Sequence, residues 1–74
     1  MHLPNKLAMR PMMFSDGAKG WALQEYRNDE FGITVVKERQ DRQSPFVERW
    51  TIDRLPGKAF KSFKDIKKAL EAID

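Results

Sequence analysis

The fold of this chain is decided by residues 62–73, which read SFKDIKKALEAI. Large apolar side chains recur here at steps of three and four residues, which is the spacing of one stripe along a helix, and the lysines fall off that stripe. The stripe consists of Phe63, Ile66, Leu70 and Ile73. Ser62, with Asp65 three residues later, predicts an N-cap of the capping-box type with aspartate in the glutamate position. Because a helix this short is marginal alone in water, its stripe is expected to pack on another element.

Strand-like segments precede the helix and can supply that surface. They alternate apolar and polar residues or are rich in β-branched and aromatic residues, and they are residues 21–26, 31–39 and 46–54. Residues 55–58 place proline and glycine at the central positions of a type II turn, after which residues 59–60 form a short returning strand. Short connections favour an antiparallel meander.

The predicted fold is therefore α+β: an antiparallel three- or four-stranded meander sheet with one C-terminal amphipathic helix packed on one face. Residues 21–74 are interpreted as a single small β-β-β-(β)-α domain. The stripe is expected to pack against the following side chains: Ile33, Val35, Trp50, Ile52, Trp21, Leu23 and Phe60.

Residues 1–20 allow two interpretations. Pro11 cannot donate to a sheet ladder, so the segment is either an edge strand at about residues 7–14, joined to the next strand by the turn-forming residues 15–20, or a loose arm. The segment is rich in methionine, which suits adaptable contact surfaces. If this apolar segment is not packed within its own chain, it needs a partner, either a second copy or another protein.

Length and composition limit the classes of function. A chain of 74 residues has room for one domain and buries only about 60% of its unfolded surface, so a homodimer is possible. The chain has no cysteine, and it lacks an apolar run of the roughly 20 residues that a membrane span needs. No apolar signal core follows the N-terminus, so the expected location is the cytoplasm. A net charge of +3 allows nucleic-acid partners without requiring them.

The residue types argue against catalysis. His2 is the only histidine and lies at the terminus, so with no cysteine a Cys/His zinc site is excluded and a serine-type triad is disfavoured. The glycines form no phosphate-binding pattern, and the spacing of Asp29, Glu30 and Asp53 does not favour an acid–base pair. The expectation is a non-enzymatic binding protein without a cofactor, a metal site or a small-molecule substrate.

Basic residues give the one functional indication. They cluster on the outer side of the helix and along two strands with their connecting loop, where an aromatic side chain could stack on a base. The predicted nucleic-acid-binding residues, for DNA or RNA, are Lys37, Arg39, Arg49, Arg54 and Tyr26. Against this hypothesis, acidic residues interleave with the arginines, and interspersed signs are typical of plain solvated surfaces.

The predicted architecture looks like that of several DNA-binding proteins. Three strands and a helix look like the arm-binding domains of tyrosine recombinases and AP2-type DNA-binding domains, and four strands followed by a helix look like a type of single-stranded DNA binder. The resemblance is architectural and implies nucleic-acid binding only by analogy. The alternative function is a protein–protein interaction module, or a homodimeric accessory protein, that uses the methionine-rich N-terminal segment or a strand edge.

Overall fold

A computed structural model describes residues 2–73, which form an antiparallel four-stranded sheet in the order β1-β2-β3-β4 and one C-terminal helix. The strands are β1 (Arg10–Asp16), β2 (Ala22–Asn28), β3 (Ile33–Arg39) and β4 (Val47–Ile52), and the helix is α1 (Phe63–Ile73). The helix packs against β4 on one face of the sheet. This confirms the predicted α+β meander with a C-terminal helix, and the sheet has four strands. The face that carries α1 is called the helix-bearing face below, and the other the helix-free face.

The helix has the predicted cap and most of the predicted stripe. The backbone N–H of Asp65 donates to Oγ of Ser62 at 3.2 Å, so the first half of the capping box is formed. Ile66 and Leu70 are fully buried. Ile73 was expected in the core but is 49% exposed, because the last turn of α1 extends past the apolar cluster that the other stripe residues enter.

The hydrophobic core lies at one end of the helix-bearing face. Its buried members are Leu3, Ile33, Ile52, Ile66 and Leu70. Partly buried aromatic residues border it, and the rings of Trp50 and Phe63 lie 5.6 Å apart between centroids. Burying each large apolar side chain contributes about 1.5–3 kcal/mol, so these few residues supply much of the stability of a small domain.

The register of the strands corrects one expectation about the core. Tyr26 pairs with Val35 and Val35 pairs with Trp50, so the even-numbered residues of β2 lie on the helix-bearing face. Since side chains alternate along a strand, Trp21 and Leu23 lie on the helix-free face and do not contact the helix stripe as expected. The sequence showed that side chains of β2 alternate between two faces, but it did not show which of these faces packs against the helix.

The N-terminal region is an edge strand preceded by a packed segment. β1 begins three residues later than the span suggested by the sequence and pairs with β2, with a bulge between Pro11 and Met13. Before it, Leu3 is only 6% exposed and joins the core. The side chain of Asn28 donates to the carbonyl of Ala8 at 3.0 Å, which ties this segment to the end of β2.

Turns close the two ends of the sheet. The N–H of Lys58 donates to the carbonyl of Leu55 at 3.3 Å and Gly57 has φ +80°, as a type II turn requires. The returning strand expected at residues 59–60 is reduced to a single bridge between Phe60 and Trp50. At the other end, the N–H of Arg42 donates to the carbonyl of Lys19, so the turn after β1 meets the loop before β4.

Within residues 2–73, no helix is long and apolar enough to cross a membrane.

Candidate nucleic-acid interface

The helix covers only one end of its face, and the rest forms what we call the open platform. The pairs Gln24–Lys37 and Ala22–Arg39 continue the face beyond Tyr26, away from the core. Because two residues of strand advance about 6.6 Å, these rows extend well past the buried cluster. The open platform consists of Phe14, Gln24, Tyr26, Lys37, Arg39 and Phe46.

Two cation–aromatic pairs lie on the open platform. Nζ of Lys37 lies 5.7 Å from the ring centroid of Tyr26, and the guanidinium carbon of Arg39 lies 4.9 Å from that of Phe46. The Tyr26 hydroxyl donates to Oε1 of Gln24 at 3.1 Å, which fixes the ring along its strand. Phe14 is 63% exposed at the margin of the platform. Aromatic rings and positive charges therefore alternate over one open surface.

Two hollows indent this face. The one nearer the helix has a volume of about 200 Å³ and is lined by Met9, Tyr26, Val35, Lys37 and Trp50. The farther one, about 360 Å³, lies between the turn after β1 and the loop before β4 and includes Phe14, Phe46, Arg39, Arg42 and Asp16 in its lining. The face is thus a contoured strip with aromatic walls at both ends.

The positive charges of the platform are not neutralised by ion pairs. Neither Lys37 nor Arg39 forms an ion pair with a carboxylate of residues 2–73. Glu48 stands opposite Lys37 in the register, yet its carboxylate accepts a hydrogen bond from the indole N–H of Trp50 at 2.7 Å. Nε of Arg39 donates to the carbonyl of Gly20 at 2.9 Å, which orients the side chain. The charge of Arg39 also acts on the carboxylate of Asp41 and helps to lower its pKa, although the two side chains form no ion pair.

Ion pairs between side chains lie at the helix-free face, and they involve Arg10 and Arg27, which are not among the residues predicted to bind nucleic acid. Arg27 contacts Asp29 at 3.0 Å and Asp53 at 2.7 Å, and Arg10 contacts Asp29 at 2.8 Å. Arg27 also donates to Oγ1 of Thr34 at 2.9 Å. Opposite charges thus cancel along this row, which links β1, β2 and the end of β4 on the side of the sheet away from the platform.

This network shifts the pKa values of its members. Hydrogen bonds from Arg10 and then Arg27 lower the pKa of Asp29, and a hydrogen bond from Arg27 lowers the pKa of Asp53. The same contacts, with Asp53 first and Asp29 second, raise the pKa of Arg27. The side chains of Asp29 and Asp53 are 61% and 69% exposed, so the shifts report local pairing that salt will screen.

Asp41 organises the loop that closes the platform. Its Oδ1 accepts hydrogen bonds from the hydroxyl and the N–H of Ser44, at 2.9 and 2.8 Å, and from the N–H of Gln43 at 2.9 Å. The hydroxyl of Ser44 is the main cause of the lowered pKa of Asp41. This Asx-type turn positions the adjacent Arg42 and Phe46 around the farther hollow.

The structure brings together some of the predicted binding residues and separates others. Tyr26, Lys37 and Arg39 lie together on the helix-bearing face. Arg49 pairs with Val36 and lies on the helix-free face, and Arg54 follows β4 beside the core end. The five residues therefore do not form one surface.

Other platform residues were not foreseen from the sequence. From the sequence, Phe46 shares a face with Trp50, Phe14 belongs to the methionine-rich N-terminal segment and Arg42 to the basic cluster along the strands and their loop, but none of the three was named as a binding residue. A signal existed for Phe46, since it alternates in phase with Glu48 and Trp50 and so shares their face. No local signal placed the turn at residues 17–20 against the loop that carries Arg42.

Comparisons with protein-family models, with curated proteins and with solved structures find no match. Among residues 2–73, no group of three or more histidine, aspartate or glutamate side chains is arranged to hold a metal ion. The open platform is therefore the feature from which a function is inferred.

Proposed function

We propose that this protein binds single-stranded nucleic acid on the open platform. The observation that carries the proposal is the pair of cation–aromatic contacts, Lys37 with Tyr26 and Arg39 with Phe46, on a sheet face that the helix leaves uncovered. Bases of any sequence stack on aromatic rings, and each stack contributes about 1–3 kcal/mol. Each cation lies over its ring, so its charge is within reach of the phosphate of a nucleotide bound at that ring.

The charge distribution supports a polyanionic ligand. Ion pairs neutralise Arg10 and Arg27 on the helix-free face, whereas Lys37 and Arg39 on the platform form no ion pair with a carboxylate of residues 2–73. Arg42, which lines the farther hollow, adds a third positive charge to the same strip. Lysine and arginine side chains that bind phosphates release condensed counterions, so this binding weakens as salt rises.

A single strand suits the platform better than a duplex. Stacking on a side chain requires bases that are not already stacked between neighbours in a helix. The hollows on either side of Lys37 offer space for such bases, and their apolar walls include Trp50 and Phe46. The binding experiment decides whether the strand is DNA or RNA. The cytoplasmic location and the non-enzymatic role stay predictions from the sequence.

Fluorescence anisotropy tests this proposal directly. A labelled oligothymidine and a labelled oligouridine of about twelve nucleotides, within the usual range of such sites, are titrated with the protein at low salt. Lys37→Gln is compared with Lys58→Gln, an identical change of charge in the exposed turn at residues 55–58. We expect Lys37→Gln to weaken binding and to reduce the salt slope by about 0.7, and Lys58→Gln to do neither.

A ring substitution separates stacking from charge. Phe46→Ala removes one stacking surface and keeps the net charge, so affinity is expected to fall by about 5- to 150-fold, the equivalent of about 1–3 kcal/mol. Absence of binding to either oligonucleotide at low salt overturns the proposal. Equal effects of Lys37→Gln and Lys58→Gln also overturn it, since they indicate non-specific attraction to the whole protein.

The second candidate is a protein–protein interaction module, and one observation favours it. β1 is an edge strand whose Met12 and Met13 are 45% and 47% exposed. The methionine-rich segment is only partly available, because Leu3 enters the core and Met9 lines the nearer hollow. A partner that adds a strand to the β1 edge would protect from hydrogen exchange those backbone amides of residues 12–16 that point away from β2.

A further inference from the structure

The helix-free face combines apolar and charged residues in an ordered way. Cross-strand pairing places Glu25, Val36 and Arg49 in one row, and Leu23, Glu38 and Val47 in the next. No element of residues 2–73 packs over this face, since α1 lies on the other side of the sheet. Val47 is 70% exposed.

The central strand β3 divides each row into two different halves. In the first row Glu25 stands on one side of Val36 and Arg49 on the other, each one strand away. Neither forms an ion pair with another side chain of residues 2–73, although their charges are opposite. In the second row the apolar residues Leu23 and Val47 flank Glu38 in the same manner.

A two-fold axis parallel to β3 makes these rows self-complementary. Such an axis, lying between two stacked sheets, places β2 of one copy over β4 of the other. Glu25 then faces Arg49 of the second copy, Leu23 faces Val47, and Val36 faces its own counterpart. By symmetry each unlike contact occurs twice, as in any isologous interface.

The other two-fold axis in the plane of the sheet does not pair these two charges. An axis perpendicular to the strands places β2 over β2 and β4 over β4, so Glu25 on β2 cannot face Arg49 on β4. If that axis passes through their row, Glu25 faces Glu25 and Arg49 faces Arg49. Pairing of Glu25 with Arg49 therefore requires the axis along β3, which is also close to the aligned packing that stacked sheets adopt.

One contact in the selected arrangement is unfavourable, since Glu38 faces its own counterpart on the axis. Its Oε2 accepts a hydrogen bond from the indole N–H of Trp21 at 3.2 Å, which draws the carboxylate toward the end of the sheet. In the row beyond Val36, Thr34 lies on the axis and Arg27 faces Thr51 of the second copy. Arg27 meets no like charge there and keeps its ion pairs with Asp29 and Asp53 of its own chain.

From this complementarity we propose that two copies of the chain form a homodimer by packing their helix-free faces together about an axis along β3. The partner is a second copy because the arrangement of charges is complementary to itself. The dimer leaves both open platforms on its outer surfaces. The inference is independent of the proposed nucleic-acid binding, because no platform residue lies in this interface.

A charge-swap series tests the homodimer by sedimentation equilibrium. The wild-type chain is expected to be dimeric, and Glu25→Arg or Arg49→Glu is expected to weaken the dimer at least about tenfold, because like charges then face each other. The double variant Glu25→Arg/Arg49→Glu restores unlike pairs and is expected to recover the dimer. Glu71→Arg, an equal charge change on the exposed side of α1, is the control and leaves the dimer intact.

A second variant keeps the test decisive if a charge reversal prevents folding. Val47→Lys alters a side chain that is already 70% exposed in the single chain, so it is expected to leave the circular dichroism spectrum unchanged and to abolish the dimer. A wild-type chain that sediments as a monomer at all concentrations overturns the proposal. So does a dimer that withstands Val47→Lys, or one that the double variant fails to restore.

Discussion

Arg39 and Phe46 meet across the end of the sheet, with the guanidinium carbon 4.9 Å from the ring centroid. Nε of the same arginine donates to the carbonyl of Gly20 at 2.9 Å. One side chain thus joins β3 to the loop before β4 and to the turn after β1. This end of the open platform is built by contacts between segments distant in sequence.

Two glycine substitutions test the close contact between the turn after β1 and the loop before β4. Gly20 and Gly57 both have positive φ, +88° and +80°, so alanine at either position is expected to cost about 1–2 kcal/mol from backbone conformation. At Gly57 an added Cβ meets nothing within 4 Å, but at Gly20 it lies 2.7 Å from the backbone nitrogen of Arg42. Gly20→Ala is therefore expected to lower the free energy of unfolding more than Gly57→Ala in urea titrations. Equal losses would contradict the close approach of the two loops.

The core prediction uses the same residue type at two positions of α1. Ile66 is fully buried and Ile73 is 49% exposed. Ile66→Ala is expected to cost about 2–5 kcal/mol because it removes core contacts and leaves a cavity, while Ile73→Ala is expected to cost much less. Urea unfolding followed by tryptophan fluorescence measures both losses. If Ile66→Ala does not fold, Ile66→Val is measured instead, with an expected cost of about 0.5–1.5 kcal/mol. Similar losses for both isoleucines would contradict the position of the helix.

The packed N-terminal segment makes a separate prediction. Leu3 is 6% exposed within the core cluster, so Leu3→Ala is expected to cost about 2–5 kcal/mol despite its place near the chain terminus. Met12→Ala removes a large side chain of similar size that is 45% exposed, and serves as the control. A thermal melt in which Leu3→Ala matches the wild-type chain would mean that the N-terminal segment is not docked.

The cap of α1 is tested by replacement and rescue. Ser62→Ala removes the oxygen that accepts the Asp65 N–H and is expected to cost about 0.5–2 kcal/mol. Ser62→Asp supplies another good capping oxygen and is expected to recover most of that loss. Loss of stability in both variants would show that the hydroxyl has a role other than capping.

Low pH is expected to remove the stabilisation that the ion pair between Arg27 and Asp53 gives to the folded state. The pKa of Asp53 is lowered from its ordinary 3.8 by Arg27, so the folded state binds this proton less readily than the unfolded chain. The stabilisation is present above pH 3.8 and is lost as pH falls from there through the lowered pKa. The Tm difference between wild type and Asp53→Asn should be positive at pH 7 and shrink below about pH 4. A difference that stays constant from pH 7 to about pH 2 would contradict the pairing.

The sequence predicted the elements well because their signals are local. The 3.6-residue stripe of residues 62–73, the β-branched run at Ile33 and the turn at Pro56 and Gly57 each depend on neighbours in the chain. The burial of Leu3 had no such signal, since a single leucine between polar residues and a proline has no period. Its position is set by the tertiary fold alone.

Only part of the candidate site was predicted from the sequence. The predicted binding residues are split between the two faces of the sheet, because side chains alternate along each strand. Lys37 shares the parity of Val35, and Arg49 has the opposite parity to Trp50, so alternation alone assigns the two cations to different faces. This assignment needs only the sequence. The choice between the faces of β2 was not, because it depends on the register that sets Tyr26 opposite Val35.

The most direct test of the central claim uses the two adjacent valines of β3. Val35 lines the nearer hollow on the helix-bearing face, whereas Val36 lies in the row with Glu25 on the helix-free face. Methyl ¹H–¹³C spectra are recorded while a single-stranded oligonucleotide is added at constant protein concentration. The account predicts that the methyl signals of Val35 shift with saturation and those of Val36 stay in place. Shifts confined to Val36, or no shift in either residue, would contradict it.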